Sequence, residues 1–126
     1  MKEGSEVANP DSQSGLYVRT RTGQVVKAAI QKNTIAYQMG EAMQVHTGGL
    51  LRATPHYVRT VQGASVSDLS RNTFALFMQP SWSDKMDCPQ SCIPSQSLSD
   101  VGVDHWEPGI DFAEFTKRRL NEYYRK

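Results

Sequence analysis

After a polar lead-in, short apolar runs separated by polar turns mark the first third of the chain. Gly15-Leu16-Tyr17-Val18-Arg19-Thr20-Arg21 and Gln24-Val25-Val26-Lys27-Ala28-Ala29-Ile30 flank Thr22-Gly23. β-branched and aromatic residues around a glycine turn predict a β-hairpin. After a turn at Gln31-Lys32-Asn33, the spacing predicts a third strand over Thr34 to Met39, with Ile35, Tyr37 and Met39 on one face. A single helical turn follows at 40–45. Leu50 to Arg59 reads as a fourth strand, and Pro55, which has no ladder donor, marks a bulge or an edge. A polar connection over 60–70 leads to Arg71–Gln79, the fifth and most apolar strand, which Pro80 ends. Near the C-terminus Asp111 reads as a helix cap with Glu114 as its capping-box partner. Phe112, Phe115, Leu120 and Tyr123 lie near one face of that helix, and the two phenylalanines are expected to pack on the strand layer. Basic residues in its second half would complement the dipole. The pattern thus divides the chain into a polar lead-in without core (1–14), a strand-rich body (15–80), a long loop (81–109) and a terminal helix (110–126). The predicted class is mainly β with an α appendage, compatible with part of a jelly roll.

Composition narrows this picture. A chain of 126 residues, 38% hydrophobic and 21% charged, is a soluble-type sequence that supports one small core. A net charge of +1 without a basic stripe argues against a nucleic-acid partner. Positive charge is local, at Lys117-Arg118-Arg119 and Arg125-Lys126. No apolar run approaches the roughly 20 residues of a bilayer span, and the N-terminus lacks an apolar export segment, so a cytoplasmic setting is expected. Two cysteines, Cys88 and Cys92, are too few for a disulfide scaffold.

The candidate chemistry sits in the fourth and fifth strands. Strand parity puts Arg71, Thr73, Ala75 and Phe77 on one side, so a guanidinium and a hydroxyl point together. Arginine binds carboxylates through two parallel hydrogen bonds, which makes this pair a receptor for a small carboxylate. His56, on a neighbouring strand, is a candidate metal ligand expected to face the same concavity. Plainer readings exist for each: His56 as a surface histidine, Arg71 paired with Asp68 or Asp84, Thr73 as an ordinary strand residue, Tyr37 and Phe77 as core aromatics. A zinc site from Cys88, Cys92, His46, His56 and His105 is weakly supported, because the cysteines are not spaced as paired zinc ligands usually are. No glycine elbow or phosphate loop is present.

Thr54-Pro55-His56-x-Val58 followed by Arg71-x-Thr73 resembles the distal half of the iron(II) and 2-oxoglutarate-dependent dioxygenase superfamily, in the isopenicillin N synthase-like branch. Ile35-Ala36-Tyr37-Gln38-Met39-Gly40-Glu41 sits where that family runs from a strand into a short helix. Trp106-x-Pro108-Gly109-x-x-Phe112-x-x-Phe115 is similar to its tail. The resemblance implies a partial double-stranded β-helix, His56 as the distal iron ligand, and Arg71 with Thr73 as the anchor of the 2-oxoglutarate carboxylate. Iron(II), 2-oxoglutarate and a small organic substrate are the implied cofactors and partner.

One departure matters. Such iron needs two histidines and a carboxylate on one face of the metal, and the family's His-x-Asp pair would precede His56. Only His46 lies upstream, without an acid two places on. His105-Trp106-Glu107 has the formal spacing but falls in the tail, and reads as coincidence. The front half of the fold is expected to lie before Met1. The chain alone is expected to be inactive and to self-associate through unpaired strands; the alternative is a non-catalytic remnant acting as an interaction module.

Overall fold

The computed structural model describes residues 4–62, 69–89 and 102–125. Its elements are β1 (Gly15–Arg19), β2 (Val25–Lys27), α1 (Glu41–His46), β3 (His56–Arg59) and α2 (Phe112–Tyr124). They fall into two compact units, one of residues 1–36 with 54–77, the other of 37–53 with 78–126.

The first unit is built on an antiparallel sheet of order β2-β1-β3. The predicted hairpin forms: Thr20 and Gly23 close its turn, and Gly23 takes φ +83°, a left-handed conformation that favours glycine. Tyr17 lies opposite Lys27 in β2 and opposite Tyr57 in β3, and Val18 lies opposite His56. The Tyr17 and Tyr57 rings stack at 5.3 Å, a cross-strand pair that pins the register. Pro55 stands just outside β3 and contributes only its carbonyl, which accepts from Arg19 N–H at 2.9 Å. The proline therefore ends the fourth strand's pairing on an edge of the sheet, and 50–55 is not strand.

The lead-in does more than its polarity suggested. Ser14 is buried, its hydroxyl donating to Asn9 Oδ1 and the Asp11 carbonyl. Tyr17 Oη donates to the Gln13 carbonyl, and Lys27 Nζ to that of Ser12. Residues 9–14 thus form a turn held by the hairpin. Its Asp11 carboxyl accepts from the Gln13 N–H at 2.8 Å, and that bond is the largest cause holding it below the usual aspartate value.

Two expected strands are absent: neither 34–39 nor 71–79 belongs to the sheet. The apolar side chains of both stretches are exposed, with Tyr37 at 81% and Phe74 at 97%. Tyr37 and Phe77 are therefore not core aromatics. Strand propensity reflects packing on a neighbouring strand, and among the described residues neither stretch pairs with one.

The second unit gathers around Val45, Met86, Val103, Trp106, Phe112 and Phe115, with Ala42, Cys88 and Ile110 at its margin. This is the main correction to the predicted helix packing: the core that Phe112 and Phe115 join is made with Val45 of α1 and residues of the long loop, rather than with strands. Leu120 and Tyr123 are exposed. Trp106 Nε1–H donates to the Met86 carbonyl inside this core.

The N–H groups in the first turn of a helix have no partner within it, and in α2 three of them find one. Phe112 N donates to the Asp84 carbonyl, Ala113 N to that of Trp82, and Glu114 N to the Asp111 side chain at 2.9 Å; Phe115 N then makes the first regular helical bond, to the Asp111 carbonyl. Asp111 is the N-cap, as its sequence position predicted. The six-residue α1 is tied in through buried Gln44, which donates to the Gly102 carbonyl and accepts from Ala53 N–H.

Candidate functional site

His56 opens β3, on an edge of the sheet, and is exposed. Antiparallel partners share a face, so its register with Val18 puts the imidazole on the face that also carries Leu16, Val26 and Val58. Leu16 and Val18 on that face are half-buried, and Val26 and Val58 are exposed. The imidazole Nδ1 lies 3.2 Å from the Thr54 carbonyl. When Nδ1 carries the proton, this contact is a hydrogen bond that orients the ring and leaves Nε2 as the lone-pair nitrogen.

Arg71 and Thr73 belong to the same unit as His56. Both are exposed and stand outside the strands, so the alternation that was to aim them at one side does not operate there. The structure places all three in one unit. Asp84, one suggested partner of Arg71, accepts from Ser81 N–H in a local turn; Asp68, the other, lies outside the described residues, as does Cys92.

The described residues include no cluster of three or more His, Cys, Asp or Glu side chains able to hold a metal ion. His46 Nδ1 instead meets the Asp87 carbonyl at 3.2 Å. A single imidazole does not fit iron(II), which in such sites takes two histidines and a carboxylate.

A second grouping, in the other unit, was not legible in the sequence. His105 is buried, its ring tilted against Phe115 at 4.7 Å, with Glu41 Oε2 3.7 Å from Nε2 and Glu122 Oε2 3.7 Å from Nδ1. Arg119 pairs with both carboxylates, at 3.1 Å and 3.4 Å. Among the described residues Nε2 finds no hydrogen-bond partner. The two carboxylates sit at opposite nitrogens of one ring, so they cannot converge with it on one ion. Glu107 turns elsewhere, to Arg118 at 2.7 Å. The formal His-x-Glu spacing of His105 and Glu107 is therefore not a shared site. Arg118 also pairs with Glu114 at 3.0 Å, and hydrogen bonds to Glu107 and then Glu114 raise its guanidinium above its ordinary value. His105, Arg118, Asn121, Glu122 and Arg125 line an open cleft of about 310 Å³. The basic residues of α2 are thus spent largely on lateral ion pairs, and none lies in its last turn. The only hint in sequence was His105 standing between Val103 and Trp106, two apolar residues in a polar stretch.

Comparison with family models, with curated proteins and with solved structures returns no match to this chain. Among the described residues no helix is long and apolar enough to cross a membrane.

Proposed function

We propose that this chain carries the distal part of an iron(II), 2-oxoglutarate-dependent oxygenase acting in the cytoplasm on a small organic substrate. The observation that carries the reading is the run Thr54-Pro55-His56-x-Val58 with Arg71-x-Thr73. The exposed position of His56 at the head of β3, on a partly covered apolar face, supports it. In this reading His56 supplies one imidazole nitrogen to the metal. Arg71 grips the co-substrate carboxylate with its planar fork, and the Thr73 hydroxyl donates a further hydrogen bond. Iron(II), when bound, supplies the activation of dioxygen. The chain's own donors do not suffice for that metal, so the His-x-Asp pair has to come from sequence outside these 126 residues.

The test is succinate formation from 2-oxoglutarate with iron(II). None is expected from the purified chain, and turnover is expected when a segment bearing the pair is joined ahead of it. Turnover should then vanish in His56→Ala and fall at least tenfold in Arg71→Ala. A joined protein whose activity survives both substitutions would refute the assignment. Iron-dependent succinate formation by the chain alone would place the other ligands elsewhere, with His105 and Glu107 the first to mutate.

A second reading, an interaction module without catalysis, is favoured by one observation: the large apolar side chains of 74–78 are almost fully exposed.

A further inference from the structure

The His105 side chain is only 4% exposed, yet each of its ring nitrogens faces a carboxylate. Glu41 Oε2, from the first turn of α1, lies 3.7 Å from Nε2, and Glu122 Oε2, from the last turn of α2, lies 3.7 Å from Nδ1. A neutral imidazole carries one N–H and one lone pair, whereas an ionised carboxylate only accepts. Whichever nitrogen holds the single proton, the other therefore turns a lone pair toward a negative oxygen. The imidazolium, with an N–H at each nitrogen, answers both carboxylates at once. Nε2 is buried and, among the described residues, without a hydrogen-bond partner, so the second proton has a place to act.

We propose that His105 is a pH-operated clasp, whose protonated ring joins Glu41 of α1 to Glu122 of α2 and whose neutral ring loosens α1. The inference is independent of the oxygenase reading, because every group in it belongs to the second unit. The charges around the ring favour its proton. α1 contributes Glu41, and α2 contributes Glu122 with Arg119, which pairs with both carboxylates at 3.1 Å and 3.4 Å. Two anions against one cation leave a single negative charge, which the imidazolium balances. Arg118 and Arg125 line the same open cleft and oppose a further cation. Arg118, however, is already held by Glu107 and Glu114, and Arg125 is exposed, where solvent and salt screen it. Asp104, next to the ring in sequence, is exposed as well. Glu122 keeps its Arg119 partner within α2 in either state. Glu41 has to reach across from α1, so α1 is the element that the neutral ring sets loose. A proton held through a contact of the folded state stabilises that state as pH falls. This contribution is complete below about 6.5, where imidazole in an unfolded chain is protonated too, and it is lost as the pH rises and the folded ring gives up its proton.

The test is urea unfolding of the whole chain at pH 6.0 and pH 8.0, followed by tryptophan fluorescence. The unfolding equilibrium constant should be smaller at pH 6.0 by about threefold or more. Glu41→Gln discriminates: its amide N–H donates to a neutral Nε2 and its carbonyl still accepts from Arg119, so the fold should survive while the pH difference falls to less than about half. His46 and His56 titrate in parent and variant alike, so the comparison isolates His105. An equal pH difference in the two proteins would overturn the proposal, as would a parent that is more stable at pH 8.0. Ring nitrogen resonances give a reading that needs no variant. His105 should lose its second proton at a higher pH in the folded chain than in the chain unfolded by urea, and an equal or lower midpoint would also overturn the clasp.

Discussion

Replacing Phe115 with alanine should dismantle the second unit. The ring is 4% exposed and touches His105 at 4.7 Å and Phe112 at 6.3 Å between centroids. Both neighbours are held by other bonds. Phe112 is fixed by the Asp84 carbonyl, and His105 lies between Glu41 and Glu122. The hole left by the ring therefore cannot collapse easily, and a buried Phe→Ala change of this kind costs about 3–5 kcal/mol. The loss falls on a core in which, among the described residues, six apolar side chains are buried. Small domains have total stabilities near the low end of about 5–15 kcal/mol, so most of the margin would go. For a unit of this size the midpoint of thermal unfolding should drop by roughly 12–40 °C. Urea unfolding followed by tryptophan fluorescence is the assay, because Trp106 lies in the same core. Leu120→Ala, on the exposed side of α2, is the control and should change stability by no more than about 0.5 kcal/mol. A Phe115→Ala protein within about 1 kcal/mol of the parent would mean that this core does not hold α2.

Two further outcomes follow from local geometry. Asp111→Ala removes the acceptor of the Glu114 N–H and should cost about 0.5–2 kcal/mol, seen as lost helicity, while Asp111→Asn should retain most of the cap; equal loss in both would argue that charge rather than capping matters there. Asp11 should titrate below its ordinary 3.8, because the charged form is favoured chiefly by the Gln13 N–H. A depressed folded-state pKa contributes stability above the unfolded value, and loses it as pH falls through the folded one. The Gln13 amide resonance should therefore titrate with a midpoint below 3.8, and a midpoint at or above it would contradict the turn geometry.

What was legible in the sequence was whatever is decided within a few residues. The hairpin turn follows from Gly23, the start of α2 from Asp111 and Glu114, and the turn of helix after Gly40 from local composition. What depended on distant partners was misread. Strand propensity in 34–39 and 71–79 cannot by itself supply a neighbour, and Ile35, Tyr37, Phe74 and Leu76 stand exposed. The loop at 81–109 supplies Met86, Val103 and Trp106 to a core shared with Val45 of α1 and Phe112 and Phe115 of α2, which its polar composition did not signal. Of the candidate site, His56 was placed correctly on a strand, whereas the alternation invoked for Arg71 and Thr73 requires a strand that is not formed.

The interleaving of the two units has a consequence for how the chain can be divided. Cut between residues 53 and 54, it yields one piece with β1, β2 and α1 and another with β3 and α2. Each unit then draws on both pieces: the β1–β3 ladder joins them in one, and the core shared by Val45 with Met86, Val103, Trp106, Phe112 and Phe115 joins them in the other. Where linker geometry lets both joints form, the first to close raises the effective concentration for the second. The loop after α1 is thus the natural place for a split-protein complementation pair, in which neither piece contains a complete unit and recovery of either unit reports reunion of the same two fragments.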